Sequence, residues 1–94
     1  MPITNSKVLN DVYDNVISEF SDMRYGSFLN LVEDGDINIF ENREDWWSYR
    51  SEHLEYLIPY FDGVTLESSE QEVYDSMDDD GNIREYKGMI IELF

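Results

Sequence analysis

The order of apolar and polar positions divides the chain into segments with helical spacing and, towards residue 94, segments with strand-like spacing. The helical pattern is fullest over residues 42–61. On a helical wheel at about 100° per residue, one third of the circumference carries the large apolar side chains: Trp46, Trp47, Leu54, Leu57, Ile58 and Phe61. The far side carries the carboxylates: Glu44, Asp45, Glu52 and Glu55. One face of this helix is therefore suited to a core and the other to water.

A second helix is predicted over Asn5–Met23, because its apolar residues recur at three- and four-residue spacing. These residues are Val8, Leu9, Val12, Tyr13, Val16, Ile17 and Phe20. Asn5 or Ser6 provides an N-cap, and Gly26 is the predicted stop signal. The polar side of this helix carries Asp11, Asp14 and Asp22.

The segment Ser27–Phe40 admits two interpretations. Asp34-Gly35 is a recognised type I′ turn signal, which predicts a hairpin. The alternative is a short helix that Gly35 ends. We favour the helix, because Leu29 and Leu31 do not alternate cleanly with polar residues. Both interpretations leave three acids together at an exposed corner: Glu33, Asp34 and Asp36.

The helix that starts at Asn42 is predicted to extend to Ile58, with Asn42 as N-cap and Pro59 as the residue that ends or kinks it. Beyond the Asp62-Gly63 turn, Val64–Glu67 predicts a short strand. Asn82–Phe94 predicts a longer strand with a bulge at Gly88.

The segment Gln71–Met77 is compatible with two structures. A strand would pair with Asn82–Phe94 through the turn at 78–82. A helical turn would begin at Ser69-x-x-Glu72, which matches a capping box. We favour the strand, because Asn82–Phe94 would otherwise have poor pairing options.

Together these elements predict one α+β domain over residues 1–94. Two to three N-terminal helices are expected to pack on a small C-terminal antiparallel sheet of two to three strands. The chain has 94 residues, 41% of them hydrophobic and 15% aromatic, which is enough for one small core. No unbroken apolar run in the first 23 residues is long enough for a signal peptide or a membrane span.

The charge balance changes the picture most. The 22 Asp and Glu residues face only six Lys and Arg residues, which leaves a formal net charge of −16. Nucleic acid and anionic membranes would both repel such a surface, so neither is an expected partner. A positively charged protein is the partner that this surplus favours. The chain has no cysteine, which fits a reducing, cytoplasmic location.

No catalytic or metal-binding motif appears, so we expect neither enzymatic activity nor a cofactor. The run Asp78–Asn82 has the Gly of a calcium-binding EF-hand loop, but counting from Gly81 as position six puts Lys87 at position twelve. That position requires a bidentate glutamate. His53 is the only histidine, and the chain has neither a nucleophile elbow nor further zinc-type ligands to accompany it.

The aromatic pair Trp46-Trp47 has two interpretations, a place in the core and a place at an interface. Tyr49 and Tyr56 add phenolic groups beside the apolar stripe, and tryptophan and tyrosine are frequent anchors of protein interfaces. Arg50 projects into the stripe, where we expect its stem to lie on the rings and its guanidinium to pair with an acid.

The acids themselves lead to the main hypothesis. Carboxylates three or four positions apart on a helix have Cβ atoms about 5–6 Å apart, a distance of the same order as that between successive phosphates of a DNA strand. An array of this kind would fit the Lys/Arg groove of a nucleic-acid-binding protein. Its candidate residues are Asp11, Asp14, Asp22, Glu33, Asp34, Asp36, Glu44, Asp45, Glu52, Glu55, Asp78, Asp79 and Asp80, with Tyr49 and Tyr56 beside them.

In size, charge and acidic runs, the chain resembles the small inhibitors that bacteriophages make against host defence nucleases, the anti-CRISPR and anti-restriction DNA mimics. The runs are VEDGD (32–36), ENRED (41–45) and DDDGN (78–82). The resemblance is one of composition, so it assigns no role to an individual residue. It implies binding and occlusion of a nuclease effector in the host cytoplasm, without turnover.

Three alternative functions remain. An immunity protein or antitoxin would use the same charges against one cognate basic nuclease toxin. A halophilic domain would be rich in alanine, whereas this chain has none and is rich in large apolar residues. A small hydrolase would depend on His53. Whether the protein forms a homodimer is left open by the sequence.

Overall fold

The computed structural model describes residues 2–52 and 70–94, and the following account concerns those residues. Its helices are α1 (Ser6–Val12), a π-helical turn (Tyr13–Ile17), α2 (Ser18–Phe20), α3 (Tyr25–Asp34), α4 (Arg43–Ser51) and α5 (Glu70–Asp79). Its strands are β1 (Ile37–Phe40), β2 (Ile83–Tyr86) and β3 (Met89–Leu93). The predicted α+β class is confirmed, with helices and a small antiparallel sheet.

The sheet has the order β1-β3-β2, with β3 antiparallel to both neighbours. β1 and β2 therefore run in the same direction, on either side of β3. Their first residues, Ile37 and Ile83, lie opposite Leu93 and Glu92 of β3. We call the end of the sheet where β1 and β2 begin the start end, and the opposite end, where Lys87 and Gly88 join β2 to β3, the turn end.

Both faces of the sheet are covered, which explains why all four residues of β1 are buried. Alternate residues of each strand point to opposite faces. On one face, Ile37, Ile39 and Ile91 pack against α1, the π-helical turn and α3 in a cluster completed by Leu9, Val12, Val16, Ile17 and Phe28. On the other face, Phe40, Ile83 and Ile90 pack with Trp46 of α4 and with Val73 and Met77 of α5.

One ion pair lies inside this second layer. Arg50 of α4 is 3% exposed and Glu92 of β3 is 0% exposed. The guanidinium donates through both Nε and Nη2 to the two carboxylate oxygens, and the indole Nε1 of Trp46 donates to Oε2 at 2.6 Å. The expectation that Arg50 pairs with an acid inside the apolar stripe is confirmed.

The preference for a strand over Gln71–Met77 was wrong. The segment belongs to helix α5, whose Val73 and Met77, one helical turn apart, are both buried against the sheet. The argument for a strand failed because β3 obtains its second partner from β1, in the middle of the chain. The capping-box alternative was the better one, although Ser69 itself lies outside the described residues.

The single bulged strand over Asn82–Phe94 was also wrong. The segment is a hairpin, and Gly88 belongs to its turn. Lys87 has φ 50° and Gly88 has φ 81°, the two positive values that a type I′ turn requires. Lys87-Gly88 is not a strong turn dipeptide, so the sequence signal was weak.

The boundaries of the first helix differ from those predicted. Helical structure ends at Phe20, Ser21 is extended, and Gly26 lies inside α3 instead of stopping the preceding helix. The hydroxyl of Tyr13 donates to the carbonyl of Met23 and stabilises this earlier corner.

For Ser27–Phe40, the preferred helix is confirmed, with Gly35 as its left-handed C-cap, and the following Ile37–Phe40 is a strand.

The predicted N-cap of α4 is confirmed, since Asn42 Oδ1 accepts a hydrogen bond from the backbone N–H of Asp45 at 2.8 Å. The predicted end at Ile58 is wrong, because α4 ends at Ser51 with Glu52 as its C-cap residue. The predictions for Pro59, for the Asp62-Gly63 turn and for the strand Val64–Glu67 lie outside the described residues, as does His53.

We expect Glu92→Ala to lower the free energy of unfolding by about 3–5 kcal/mol, because it leaves the buried Arg50 charge uncompensated. The double substitution Arg50→Met/Glu92→Leu should cost less, about 1–3 kcal/mol, because no buried charge is then left without its partner. The Trp46 N–H loses its acceptor, and the Asn38 amide loses its 3.5 Å bond to Glu92 Oε1 but keeps the bond to Gly35. Urea denaturation measures both. A single variant that is no less stable than the double variant would contradict this role of the pair.

Candidate functional site

Three of the predicted acids lie where α3 ends. Gly35, with φ 84°, turns the chain out of the helix, and the N–H of Asp36 returns to the carbonyl of Leu31 at 2.9 Å. Glu33, Asp34 and Asp36 are exposed around this turn. The chain then enters β1 directly, so these carboxylates lie at the start end of the sheet.

A second group of acids lies where α5 ends. Gly81, with φ 76°, turns the chain, and the N–H of Asn82 returns to the carbonyl of Met77 at 2.9 Å. Asp78, Asp79 and Asp80 are exposed around this turn. The chain then enters β2, so this corner also lies at the start end of the sheet.

The end of β3 joins the two corners. The N–H of Phe94 donates to the carbonyl of Asp36 at 2.7 Å, and the N–H of Leu93 donates to the carbonyl of Asn82 at 2.8 Å. Since β1 and β2 flank β3, their starts are two strand spacings apart, about 10 Å. The structure thus places two groups of three carboxylates, far apart in sequence, at the same end of the sheet. We call them the acidic end: Glu33, Asp34, Asp36, Asp78, Asp79 and Asp80.

The directions of the helices add to the negative potential there. α3 and α5 both have their C-termini at the start end, and the C-terminus of a helix carries a partial negative charge. α4 follows the same direction: Arg43 at its beginning pairs with Glu70 at the beginning of α5, whereas Arg50 near its end reaches Glu92. Exposed Glu52 caps the end of α4.

Carboxylates at helix C-termini oppose the helix dipole, and neither α3 nor α5 has a basic residue in its last turn. Arg84 is a basic side chain near this end, and its Nη1 donates to the carbonyls of Gly81 and Ile83 at 3.0 Å each. The positive charge of Arg50 is buried and compensated by Glu92. The acidic end is therefore arranged against local helix stability.

The negative field also reaches along α5. Burial raises the pKa of Tyr74, and the nearby carboxylates of Glu85 and Asp78 raise it further. Glu85 belongs to β2 and Asp78 to α5, so acids of both elements act on the same phenol. The face formed by α5 and β2 therefore continues the potential of the acidic end.

Asp11 lies elsewhere and is partly neutralised. At the turn end, its Oδ2 is 3.2 Å from Lys87 Nζ, and its Oδ1 accepts from the Tyr86 hydroxyl at 3.0 Å. The hydrogen bond from Lys87 lowers the pKa of Asp11, outweighing the opposite effect of desolvation. This carboxylate joins α1 to the hairpin.

Four further predicted acids lie in or after other helices. Glu44 and Asp45 lie in the first turn of α4, where the helix dipole favours them. Asp14 and Asp22 are exposed on and after the first helical segment. Glu55 and Tyr56 lie outside the described residues.

Tyr49 belongs to the packed layer. It is half-buried, with its ring centroid 5.4 Å from that of Phe40 and 5.2 Å from the Arg50 guanidinium carbon. Trp46 is fully buried and Trp47 is partly exposed beside it. For this group the core interpretation accounts for the observed contacts.

Sequence reasoning missed the residues that join the corners, namely Glu92, Leu93 and Phe94. A signal for the first was present, because Glu92 is a single acid among the apolar residues of Met89–Leu93. A charge in such a run indicates a buried partner. The joining bonds from Leu93 and Phe94 are made by backbone groups, which carry no side-chain signal.

Within the described ranges, no group of three or more His, Cys, Asp or Glu residues is arranged to hold a metal ion. Among the same residues, no helix is long and apolar enough to cross a membrane. Comparison of the chain with protein-family models, with curated proteins and with solved structures finds no match.

We expect Asp79→Asn and Asp34→Asn each to raise the free energy of unfolding by about 0.3–1 kcal/mol, because each removes a negative charge from a helix C-terminus. The matched control, Glu44→Gln at the N-terminus of α4, should lower it by a similar amount. Urea denaturation at low ionic strength tests the contrast, which added salt should reduce. If all three substitutions changed the free energy of unfolding in the same direction, the helix dipoles would not be its cause.

We expect Lys87→Met to raise the pKa of Asp11 towards its ordinary value of 3.8, because the charged hydrogen-bond donor is lost. Since the folded-state pKa is lowered, the contribution of this pair to stability is present above the unfolded-state pKa. It is lost as the pH falls through the folded-state pKa. A carboxyl NMR titration of Asp11 in the two proteins measures the shift, and an unchanged midpoint would rule out the contact in solution.

Proposed function

We propose that the protein is an inhibitor that binds the basic nucleic-acid-binding groove of a nuclease effector, of CRISPR-Cas or restriction type, and blocks DNA binding by presenting carboxylates in place of phosphates. The acidic end is its leading surface. The observation that carries the proposal is the convergence of two acidic corners, from residues 33–36 and 78–80, at one end of the sheet.

The stability cost of this arrangement supports a role in binding. An acid at the C-terminus of a helix destabilises that helix, and both corners place their acids there. Residues that act against stability are a common feature of functional surfaces. A charge surplus required only for solubility would be as effective at helix N-termini, where it would also stabilise the fold.

The chemistry of the surface favours a cationic partner. Exposed carboxylates attract Lys and Arg side chains, and the C-termini of α3, α4 and α5 at the same end strengthen the attraction. Long-range attraction speeds encounter with a cationic groove. The groove would release its bound anions on binding, and the affinity would therefore fall steeply as the salt concentration rises.

We expect Asp34→Lys/Asp79→Lys to weaken inhibition about tenfold or more, about 1.4 kcal/mol of binding free energy or above. The readout is competition: the protein is titrated into mixtures of labelled duplex DNA with purified CRISPR-Cas effectors and restriction endonucleases. The wild-type protein should displace the DNA from at least one effector, and less effectively as salt is added.

The matched control is Asp22→Lys/Glu41→Lys, which changes the net charge equally. Both residues are exposed; Asp22 precedes α3 and Glu41 follows β1, so both lie away from the acidic end. This control should retain inhibition within about threefold. Equal losses in the two variants would show that net charge acts without regard to position. Displacement of DNA from none of the effectors would contradict the proposal, and neutralisation of one nuclease toxin alone would favour the immunity-protein alternative.

A further inference from the structure

The two acidic corners belong to different layers of the molecule. α3 packs on one face of the sheet and α5 on the other, and each corner is followed by an edge strand. Their relative position therefore depends on what connects them across the sheet. The central strand β3 makes this connection.

Three hydrogen bonds fix the corners. The N–H of Phe94 donates to the carbonyl of Asp36 at 2.7 Å, and the N–H of Leu93 donates to the carbonyl of Asn82 at 2.8 Å. The side-chain amide of Asn38 donates to the carbonyl of Gly35 at 2.9 Å, inside the first corner. The end of β3 is thus hydrogen-bonded to the residue before β1 on one side and to the residue before β2 on the other.

The register of β3 is fixed immediately before these bonds. Glu92 accepts from Arg50 and Trp46 and lies opposite Asn38 and Ile83. A shift of β3 by one residue would turn Glu92 to the opposite face, where it would lose these donors. The ion pair therefore determines that Leu93 and Phe94 meet Asn82 and Asp36.

We propose that Glu92, Leu93 and Phe94 are positioning residues that hold the two acidic corners at a fixed separation, and that the partner recognises this separation in addition to the charge. Only the recognition of the separation by a partner rests on the proposed function; the positioning role does not. A rigid array loses less conformational freedom on binding than a flexible acidic segment, and its affinity is correspondingly higher.

Phe94→Pro tests the positioning without changing the net charge. Proline removes the N–H that donates to Asp36, and the extended conformation of the preceding strand residue is compatible with it. The matched control Phe94→Ala also removes the ring, which lies 5.0 Å from the Arg50 guanidinium carbon, but keeps the N–H. Asn38→Leu is a second variant, which removes the bond to Gly35 and also the 3.5 Å bond to Glu92 Oε1.

The first measurement requires no partner. The chain has no cysteine, so Asp34→Cys/Asp79→Cys allows a spin label to be attached to each corner. Pulsed electron spin resonance should give a narrow distance distribution for the otherwise wild-type protein and for Phe94→Ala. In Phe94→Pro, with folding confirmed by circular dichroism, the distribution should broaden about twofold through local opening. An unchanged width in both Phe94→Pro and Asn38→Leu would overturn the positioning role.

The second measurement uses the effector from which the wild-type protein displaces DNA. Phe94→Pro, without labels, should inhibit about tenfold less well than Phe94→Ala. Equal inhibition by the two, despite a broadened distribution, would refute recognition of the separation and leave the proposed function intact. Absence of inhibition by the wild-type protein would refute the proposed function, while the distance measurement would still decide the positioning role.

Discussion

A carboxylate enclosed between the central strand and a helix determines much of this structure. Glu92 is fully buried and accepts hydrogen bonds from the guanidinium of Arg50 and the indole of Trp46. Leaving either charge of the pair without its partner in such a place is costly, so only one register of β3 and one position of α4 satisfy both groups. Packing of the apolar residues alone would tolerate more than one arrangement.

The pair also affects how the remaining charge is distributed. Its two members cancel, so the formal charge of −16 falls on the other residues. Of the described acids, those at the corners after α3 and α5 lie at helix C-termini, where they cost stability. Burial of apolar side chains on both faces of the sheet offsets this loss of stability. The core can thus tolerate acids at the C-termini of α3 and α5.

The elements that the sequence predicted correctly are those with strong local signals. The apolar periodicity of the first helix, the Asn42 cap and the Gly35 stop act within a few residues, and the structure confirms each of them. The strand preferred for Gln71–Met77 failed because it depended on a long-range argument about pairing. β3 pairs with β1, more than 40 residues earlier, which no local pattern indicates.

For the candidate site too, the sequence predicted the local features but not the features that depend on topology. The composition indicated acids at exposed corners, and the corners at 33–36 and 78–80 are exposed turns in the structure. Their convergence follows from the order β1-β3-β2, which depends on the topology of the whole chain. Asp11 was expected in the same array, but the hairpin turn places Lys87 beside it.

The separation of the two ends of the sheet gives the molecule a polarity along its strands. Arg43 and Lys87, each paired with an acid, lie at the turn end, and the six clustered carboxylates lie at the start end. Such a body has an electric moment in addition to its net charge. In the field of the proposed cationic groove it would experience a torque that turns the acidic end towards the groove before contact. A larger share of collisions would then occur in a productive orientation.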